Sequence, residues 1–341
     1  HLSGEKSPII TLTPSPTLDR TYFVKKLVEG GVNRAHDVNE ELAGKGINVS
    51  RALELANISA PGVVPIGNAD PGVLERTGST SFLVPLWVEG TLRVSTTIIE
   101  DNGPTTKVNE HPRPLKQSDW EEVVALTLKL LKENDAEWLV VAGAHPKIVE
   151  TDEGIDLVPL FDQAKAMGVK VVLDTSGDPL RYWARKGVAT IMKPNGEELA
   201  SCVGRTLNTL SDVVDAAREL NSWGVECVLA SLGVDGMLAV TKTDAVHAFT
   251  PPVRVINTVG AGDSTVAGFL SAVTTNKTND KELFGVGFDI AKGVREAVRW
   301  GGAKVQQPTS GLKSIENLPI GVVMEKPDLS ASLREPAEFQ G

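Results

Sequence analysis

The run Asn257-Thr258-Val259-Gly260-Ala261-Gly262-Asp263-Ser264-Thr265, continued by the apolar Val266-Ala267-Gly268-Phe269-Leu270, decides how the rest of the chain is read. Two glycines one residue apart, just ahead of helical spacing, place a flexible turn and several free N–H groups where a helix begins. First-turn amides have no intrahelical partners and carry the positive end of the helix dipole, so such a turn holds an anion. Asp263 then has two readings. It is a capping carboxylate of that helix, or it is a base that takes a proton from an attacking hydroxyl while the turn steadies a phosphoryl group.

Composition narrows the field. The 341 residues are 41% hydrophobic and 23% charged, enough for a sizeable core in one large domain with an insertion, or in two. A formal net charge of -10 repels nucleic acid and anionic membrane as partners, although a local basic cluster can still attract a small anion. No apolar run approaches the ~18 residues needed to span a bilayer. The amino end lacks the pattern of a secretory leader. Cys202 and Cys227 have no metal-ligand or redox spacing and read as small core residues, so a soluble, cytoplasmic protein is expected. His36, His111, His145 and His247 have no ligand spacing either, and no zinc site is expected.

Taken in order, Pro8 to Thr13 reads as a buried strand ended by Pro14-Ser15-Pro16, with Asp19 just beyond it, where open α/β sheets bind ligands. Thr21 to Val28 and Val32 to Asn39 read as a hairpin. Ala43-Gly44-Lys45-Gly46-Ile47-Asn48-Val49 is a second glycine turn into a helix. It is either a plain helix start or a polar-ligand site with Lys45 and Asn48 as donors. It is not a Walker A loop, because Gly46 follows Lys45 where Ser or Thr is needed. Strands are expected at Gly62 to Gly67, Phe82 to Val88, Leu92 to Glu100 and Thr105 to Asn109, and a short helix at Asp70 to Arg76. From residue 117 helices and strands alternate. Ser118 opens a helix through Leu131 with a capping box, Trp138 to Ala142 is a strand, Gly154 to Met167 a helix, and Val169 to Leu173 a strand. Ile191-Met192 ends at the turn Lys193-Pro194-Asn195-Gly196. Leu210 to Trp223 is a helix capped by Ser211 or Asp212, and Glu226 to Ser231 and Met237 to Thr241 form a hairpin. Helices at about 261–275 and 281–300 close the core. The expected architecture is α/β, a mostly parallel central sheet with helices on both faces. Core segments are 8–16, 41–85 and 111–325, β-rich lid insertions are 17–40 and 86–110, and 326–341 is a mobile polar tail.

Read together, Ala43-Gly44-Lys45-Gly46-Ile47-Asn48-Val49-Ser50-Arg51 and Thr258-Val259-Gly260-Ala261-Gly262-Asp263-Ser264 resemble the two signatures of the PfkB (ribokinase-like) sugar kinases. Between them Lys193-Pro194-Asn195-Gly196-Glu197-Glu198 resembles the family's Asn-x-x-Glu motif, and Ser231-Leu232-Gly233-Val234-Asp235-Gly236 its nucleotide-side turn. Gly302 to Pro308 resembles its usual ending. Thr13-Pro14-Ser15-Pro16-Thr17-Leu18-Asp19-Arg20 and Gly31-Val32-Asn33-Arg34 point to the 1-phosphofructokinase and tagatose-6-phosphate kinase branch.

The resemblance implies a ribokinase-like fold with a small β-sheet lid that often serves for dimerisation, ATP with Mg²⁺, and phosphoryl transfer to a sugar hydroxyl. It makes Asp263 the base and the amides of Gly260, Ala261 and Gly262 the anion hole. Asp19, Gly44 and Asn48 would bind sugar hydroxyls; Arg34, Lys45 and Arg93, otherwise solvated charges, would meet a phosphate already on the substrate. Lys193, Asn195, Ser231, Gly233 and Gly236 would line the nucleotide site, with Asn195 and Glu198 organising Mg²⁺ through its waters. The implied substrate is a phosphorylated ketohexose, fructose 1-phosphate first and tagatose 6-phosphate next. An unphosphorylated sugar or nucleoside, or a regulator without turnover, stands as the competing reading. Three positions depart from the family pattern. Asn257 replaces a frequent Asp, which is tolerable because it precedes the catalytic turn; Ser95 replaces an Asn, and Ala142-Gly143-Ala144-His145-Pro146 lacks a serine pair and introduces His145, which bears on the sugar.

Overall fold

A computed structural model describes residues 5–78, 81–274 and 286–341. Along the chain come β1 (Ile9–Leu12), β2 (Thr17–Val24), β3 (Asp37–Ala43), α1 (Lys45–Glu54), β4 (Gly62–Gly67), α2 (Val73–Thr77), β5 (Leu83–Val88), β6 (Arg93–Glu100) and β7 (Thr105–Asn109). Then follow α3 (Gln117–Glu133), β8 (Trp138–Ala142), α4 (Val158–Ala166), β9 (Lys170–Asp174), α5 (Gly177–Lys186), β10 (Ile191–Met192), α6 (Gly196–Val203), β11 (Leu207–Thr209), α7 (Leu210–Trp223) and β12 (Cys227–Ser231). The last elements are β13 (Met237–Val240), β14 (Ala245–Phe249), α8 (Ala261–Val273), α9 (Ile290–Val305), β15 (Val322–Met324) and β16 (Ser332–Ala337). Of the two helices expected to close the core, position 275 and positions 281–285 fall outside the described residues.

Ten strands form one sheet in the order β15-β14-β13-β12-β10-β9-β8-β1-β4-β5. Neighbours from β12 to β5 are parallel, and the β12-to-β15 edge is antiparallel. Side chains alternate across a strand, so each central strand feeds two cores. In β8, Leu139 and Val141 pack with α3, α4 and α7 residues such as Val123, Phe161 and Val213. Trp138, Val140 and Ala142 face the other way, toward Val49 of α1, Phe269 of α8 and Val294 of α9. Helices therefore cover both faces.

The lid is a four-stranded sheet, β3-β2-β6-β7. Leu18 and Leu42 anchor it by packing on Ile47, Val64, Ile66 and Phe82. Its limits differ from the expected 17–40 and 86–110. β3 continues to Ala43, because Leu42 and Ala43 pair with Leu18 and Thr17. Residues 86–88 belong to the large sheet, where Leu86, Trp87 and Val88 pair with Pro65, Ile66 and Gly67. The expected mobile tail 326–341 also differs: β16 pairs antiparallel with β11, and Leu333 and Ala337 are buried.

Helix starts correct two further expectations. α3 begins at Gln117 rather than Ser118, and its first amide donates to the Glu150 carboxylate at 3.1 Å, so a distant side chain replaces the local capping box. α7 is capped by Thr209, with Asp212 completing the box.

Candidate active site

The carboxyl ends of β1, β8, β9, β10 and β12 deliver Thr13, Gly143, Asp174, Lys193 and the turn after Ser231 to one edge of the sheet, the edge where parallel sheets bind ligands. Two helices start there. α1 is entered from Gly44 and α8 from Gly260, whose φ of +80° is the left-handed conformation that glycine adopts without a Cβ penalty.

Asp263 lies in the first turn of α8 and is only 4% exposed. It does not cap its helix, for α8 has no side-chain cap bond. Its Oδ2 accepts a hydrogen bond from Asn48 Nδ2 of α1 at 2.9 Å, and its Oδ1 has no partner among the described residues. Burial pushes the carboxyl up to about 6, and Asp174 adds to that; Lys45, the Asn48 bond and Lys193 pull the other way. Of the three amides expected to form the anion hole, that of Ala261 already donates to the Thr258 carbonyl at 3.2 Å. Those of Gly260 and Gly262, and also of Asp263, have no partner among the described residues.

Two lysines flank this carboxylate. Lys45, at the start of α1, is held above the ordinary lysine value chiefly by Asp174, then by Asp263 and Glu198. Lys193 is 7% exposed, with Nζ 3.7 Å from Asp174 Oδ2 and 3.0 Å from where a Cβ on Gly262 would sit. Its ammonium therefore rests over the α8 turn. The glycines of the first signature have a packing reason as well: a Cβ on Gly44 or Gly46 would collide with the Thr13 side chain, whose Oγ1 accepts the Ile47 N–H at 3.1 Å.

On the lid, register puts Asp19 and Arg93 on the same sheet face, since Thr17 pairs with Arg93 and Asp19 with Ser95. Asp19 accepts from Thr17 Oγ1 at 2.7 Å and is raised by burial and Glu41, against Thr17, Lys107 and Arg93. Arg93 donates to the Ser15 carbonyl at 2.9 Å, and its buried Nε has no partner among the described residues. Burial lowers its affinity for its proton, and Asp19 offsets that. Arg34 departs from expectation. It is exposed in the β2–β3 connection, beyond the Phe23–Asp37 pair, at the opposite end of the hairpin from Asp19.

Asn195 and Glu198 form the capping box of α6. Asn195 Oδ1 accepts from Glu198 N at 2.8 Å and Glu198 Oε1 accepts from Asn195 N at 2.9 Å. Asn195 bridges to Ser231 of β12. Gly233 and Gly236 have φ of +59° and +83°, and a Cβ on Gly236 would collide with the Ala248 carbonyl. The C-terminal strand reaches this turn, where the amides of Arg334 and Glu335 donate to Asp235 Oδ2 at 2.9 and 3.2 Å.

Sequence reasoning did not assign Asp174, although it recognised a strand running into it; its pairing with Lys193 is set by adjacent strands and has no local signal. Lys107 was equally unassigned, and only the lid register brings it near Asp19. His145 lies in the loop after β8, its Nε2 has no partner among the described residues, and burial pushes its imidazole down to about 4, so it is neutral near pH 7. Among the described residues, no cluster of three His, Cys, Asp or Glu side chains could hold a metal, and no helix is long and apolar enough to cross a membrane.

The chain matches the pfkB family carbohydrate kinase description over residues 14–316. It is 35% identical over 271 residues to 1-phosphofructokinase of Haloferax volcanii, covering 77% of this chain and 83% of that one. To tagatose-6-phosphate kinase of Staphylococcus epidermidis it is 30% identical over 281 residues, covering 81% and 88%. Its fold superposes on the crystal structure of phosphofructokinase-2 from Escherichia coli with a TM-score of 0.75 at 25% identity, covering 91% and 96%. With a ribokinase-like α/β architecture, both glycine signatures at one sheet edge and a match across most of its length, the chain belongs to the pfkB family of carbohydrate kinases.

Proposed function

We propose that this kinase transfers the terminal phosphoryl group of ATP to a hydroxyl of a phosphorylated ketohexose, fructose 1-phosphate before tagatose 6-phosphate. One observation carries the reading. Asp263 is a buried carboxylate with one oxygen fixed by Asn48 and, among the described residues, no partner for the other oxygen or for the neighbouring amides of Gly260, Gly262 and Asp263, and it sits between two lysines.

In this reading Asp263 accepts the proton of the attacking hydroxyl, while the amides of Gly260, Gly262 and Asp263 hold the charge that develops on the phosphoryl oxygens. Phosphoryl transfer asks mainly for positioning and electrostatics, which a rigid sheet edge supplies. Lys193, over Gly262, attracts the phosphate chain of the nucleotide, and Ser231, Gly233 and Gly236 line its far end. Asp19, Gly44 and Asn48 orient the sugar. Lys45 meets its existing phosphate together with Arg93, beside which Lys107 also acts on Asp19. Arg34, at the far end of the hairpin, has no assigned role within one chain.

The donor set suits Mg²⁺ bound largely through water. The capping box occupies one oxygen of Glu198, the other has no hydrogen bond among the described residues, and this hard ion needs only one or two carboxylates when phosphates complete its shell. When bound, Mg²⁺ would neutralise phosphate charge there. Exposed Val38 and Val108 lie on one face of the lid and support a homodimer through it. The buried, free Cys202 and Cys227 support a cytoplasmic location.

ADP release measured across a panel of sugars tests this directly. Acceleration by hexose phosphates alone is expected. Acceleration by free sugars or nucleosides, or by none of them, overturns it.

A further inference from the structure

Lys304 is the least exposed charged residue among the described residues, at 0%. It lies in the last turn of α9, behind the α8 turn. Its Nζ donates to the Asn257 carbonyl at 3.0 Å, and it makes no ion pair among the described residues. Burial holds its ammonium below the ordinary lysine value, and no carboxylate among the described residues offsets this. A buried cation without a counter-charge is costly, and its persistence needs a reason.

The surroundings supply one. Asn257 begins the run into Gly260. Its N–H donates to the Val305 carbonyl at 3.0 Å, its Nδ2 to the Pro308 carbonyl at 3.0 Å, and its Oδ1 accepts the Val259 N–H at 2.9 Å. A Cβ on Gly260 would collide with the Ser310 carbonyl and would lie 3.7 Å from Lys304 Cε. Segments 256–260 and 305–310 are thus laced together with the ammonium between them, directly behind the turn whose free amides face the phosphoryl position.

We infer that Lys304 is a positioning residue for phosphoryl transfer: it fixes the Asn257 carbonyl and places a positive charge behind the Gly260–Gly262 turn, with the transferring phosphoryl group as its counter-charge. This rests on the reading of that turn as the anion hole. The charge acts through the turn and touches no substrate. It favours the phosphoryl group most when its oxygens carry the most charge, so it contributes to turnover more than to sugar binding.

The test uses the full chain with Lys304→Met, which keeps length and apolar packing but removes the charge, and Lys304→Ala, which leaves a hole. Thermal unfolding and steady-state kinetics are measured on both. The expected result for Lys304→Met is a kcat lower by roughly 30-fold or more with KM for the sugar phosphate within about two-fold, together with a raised thermal midpoint because an uncompensated charge is gone. Added methylammonium should partly restore kcat in Lys304→Ala and leave Lys304→Met unchanged, since methionine fills the space. A kcat within about two-fold of the parent in Lys304→Met overturns the inference. So does a lowered midpoint in Lys304→Met with no rescue of Lys304→Ala, which is the signature of a lysine needed only for packing. If the unmodified chain phosphorylates nothing in the panel, the kinase reading of the site fails, while the direction of the midpoint change in Lys304→Met still reports on the buried charge.

Discussion

Replacing Asp263 by Asn should make the protein more stable and nearly inactive, and the size of the first effect follows from the site. The folded carboxyl is raised from 3.8 to about 6, mainly by burial, with Asp174 as a further cause. A raised carboxylate binds its proton more tightly folded than unfolded. Stability therefore falls as pH rises through the window from 3.8 to 6, and the full penalty is present above the folded value. At about 1.36 kcal/mol per unit, a shift of roughly two units amounts to about 3 kcal/mol at pH 8. Near pH 4.5 the folded group is already protonated and the penalty shrinks to about 1 kcal/mol. Asparagine has nearly the same shape and never ionises, and its carbonyl can accept the bond that Asn48 donates to Oδ2. Asp263→Asn should thus gain about 3 kcal/mol at pH 8 and about 1 kcal/mol at pH 4.5, while kcat falls by ~100-fold or more. Urea unfolding of both proteins at the two pH values, beside steady-state turnover, provides the check. Near-normal turnover would remove Asp263 from the chemistry. A stability gain equal at both pH values would refute the burial argument, because only an ionising group produces the difference.

Three other outcomes follow from the same geometry. Asn48→Ala removes a donor to the ionised form of Asp263, so the acidic limb of the kcat/KM profile should move to higher pH, and an unmoved limb would mean that Asn48 does not tune the carboxyl. Arg93→Met should lower kcat/KM for a phosphorylated sugar by about 10- to 100-fold, as expected for a charge-assisted hydrogen bond. Arg34→Met should change it little in a monomeric sample, because Arg34 lies at the opposite end of the hairpin; a larger loss for Arg34 than for Arg93 would reverse that assignment. Ending the chain after Lys326 should cost about 2 kcal/mol or more in chemical denaturation, since Leu333 loses its burial and β11 its partner strand, whereas an independent tail would leave the midpoint in place.

Elements whose cause is local were legible in the sequence. β4, β7, β8 and α7 begin and end where apolar runs and turn residues said they would, because each carries its own periodicity and its own stops. Where the cause is distant, the local sequence carries no signal. The first amide of α3 is satisfied by Glu150, 33 residues away, so a capping box placed at Ser118 competes with a partner that no local window contains. β14, β15 and β16 join sheets through short pairings with weak sequence alternation, and α5 has a weak local signal because its mostly polar sequence carries only Leu180, Trp183 and Ala184 as a buried stripe. The lid limits moved for a related reason: Leu86 to Val88 have the composition of either sheet, and only pairing with β4 decides.

At the site, a residue's structural reading and its functional reading proved compatible for different atoms of the same group. Gly44 and Gly46 are required by the close approach of Thr13, and that same approach seats the start of α1 so that Asn48 donates to Asp263 and Lys45 acts on Asp174 and Asp263. The Asn195–Glu198 box caps α6 with one oxygen from each side chain and leaves the second Glu198 oxygen available, so the motif is a helix cap whatever else it does. Asp263 resolves the other way. As a first-turn carboxylate its usual duty is to its own helix, yet no side chain among the described residues caps α8, and Asn48 of α1 holds one of its oxygens. A carboxylate that leaves its own amides unsatisfied, keeps an unpartnered oxygen and tolerates a raised proton affinity is an expense the fold has no structural use for. That mismatch, more than the glycines around it, separates a reactive turn from an ordinary helix start.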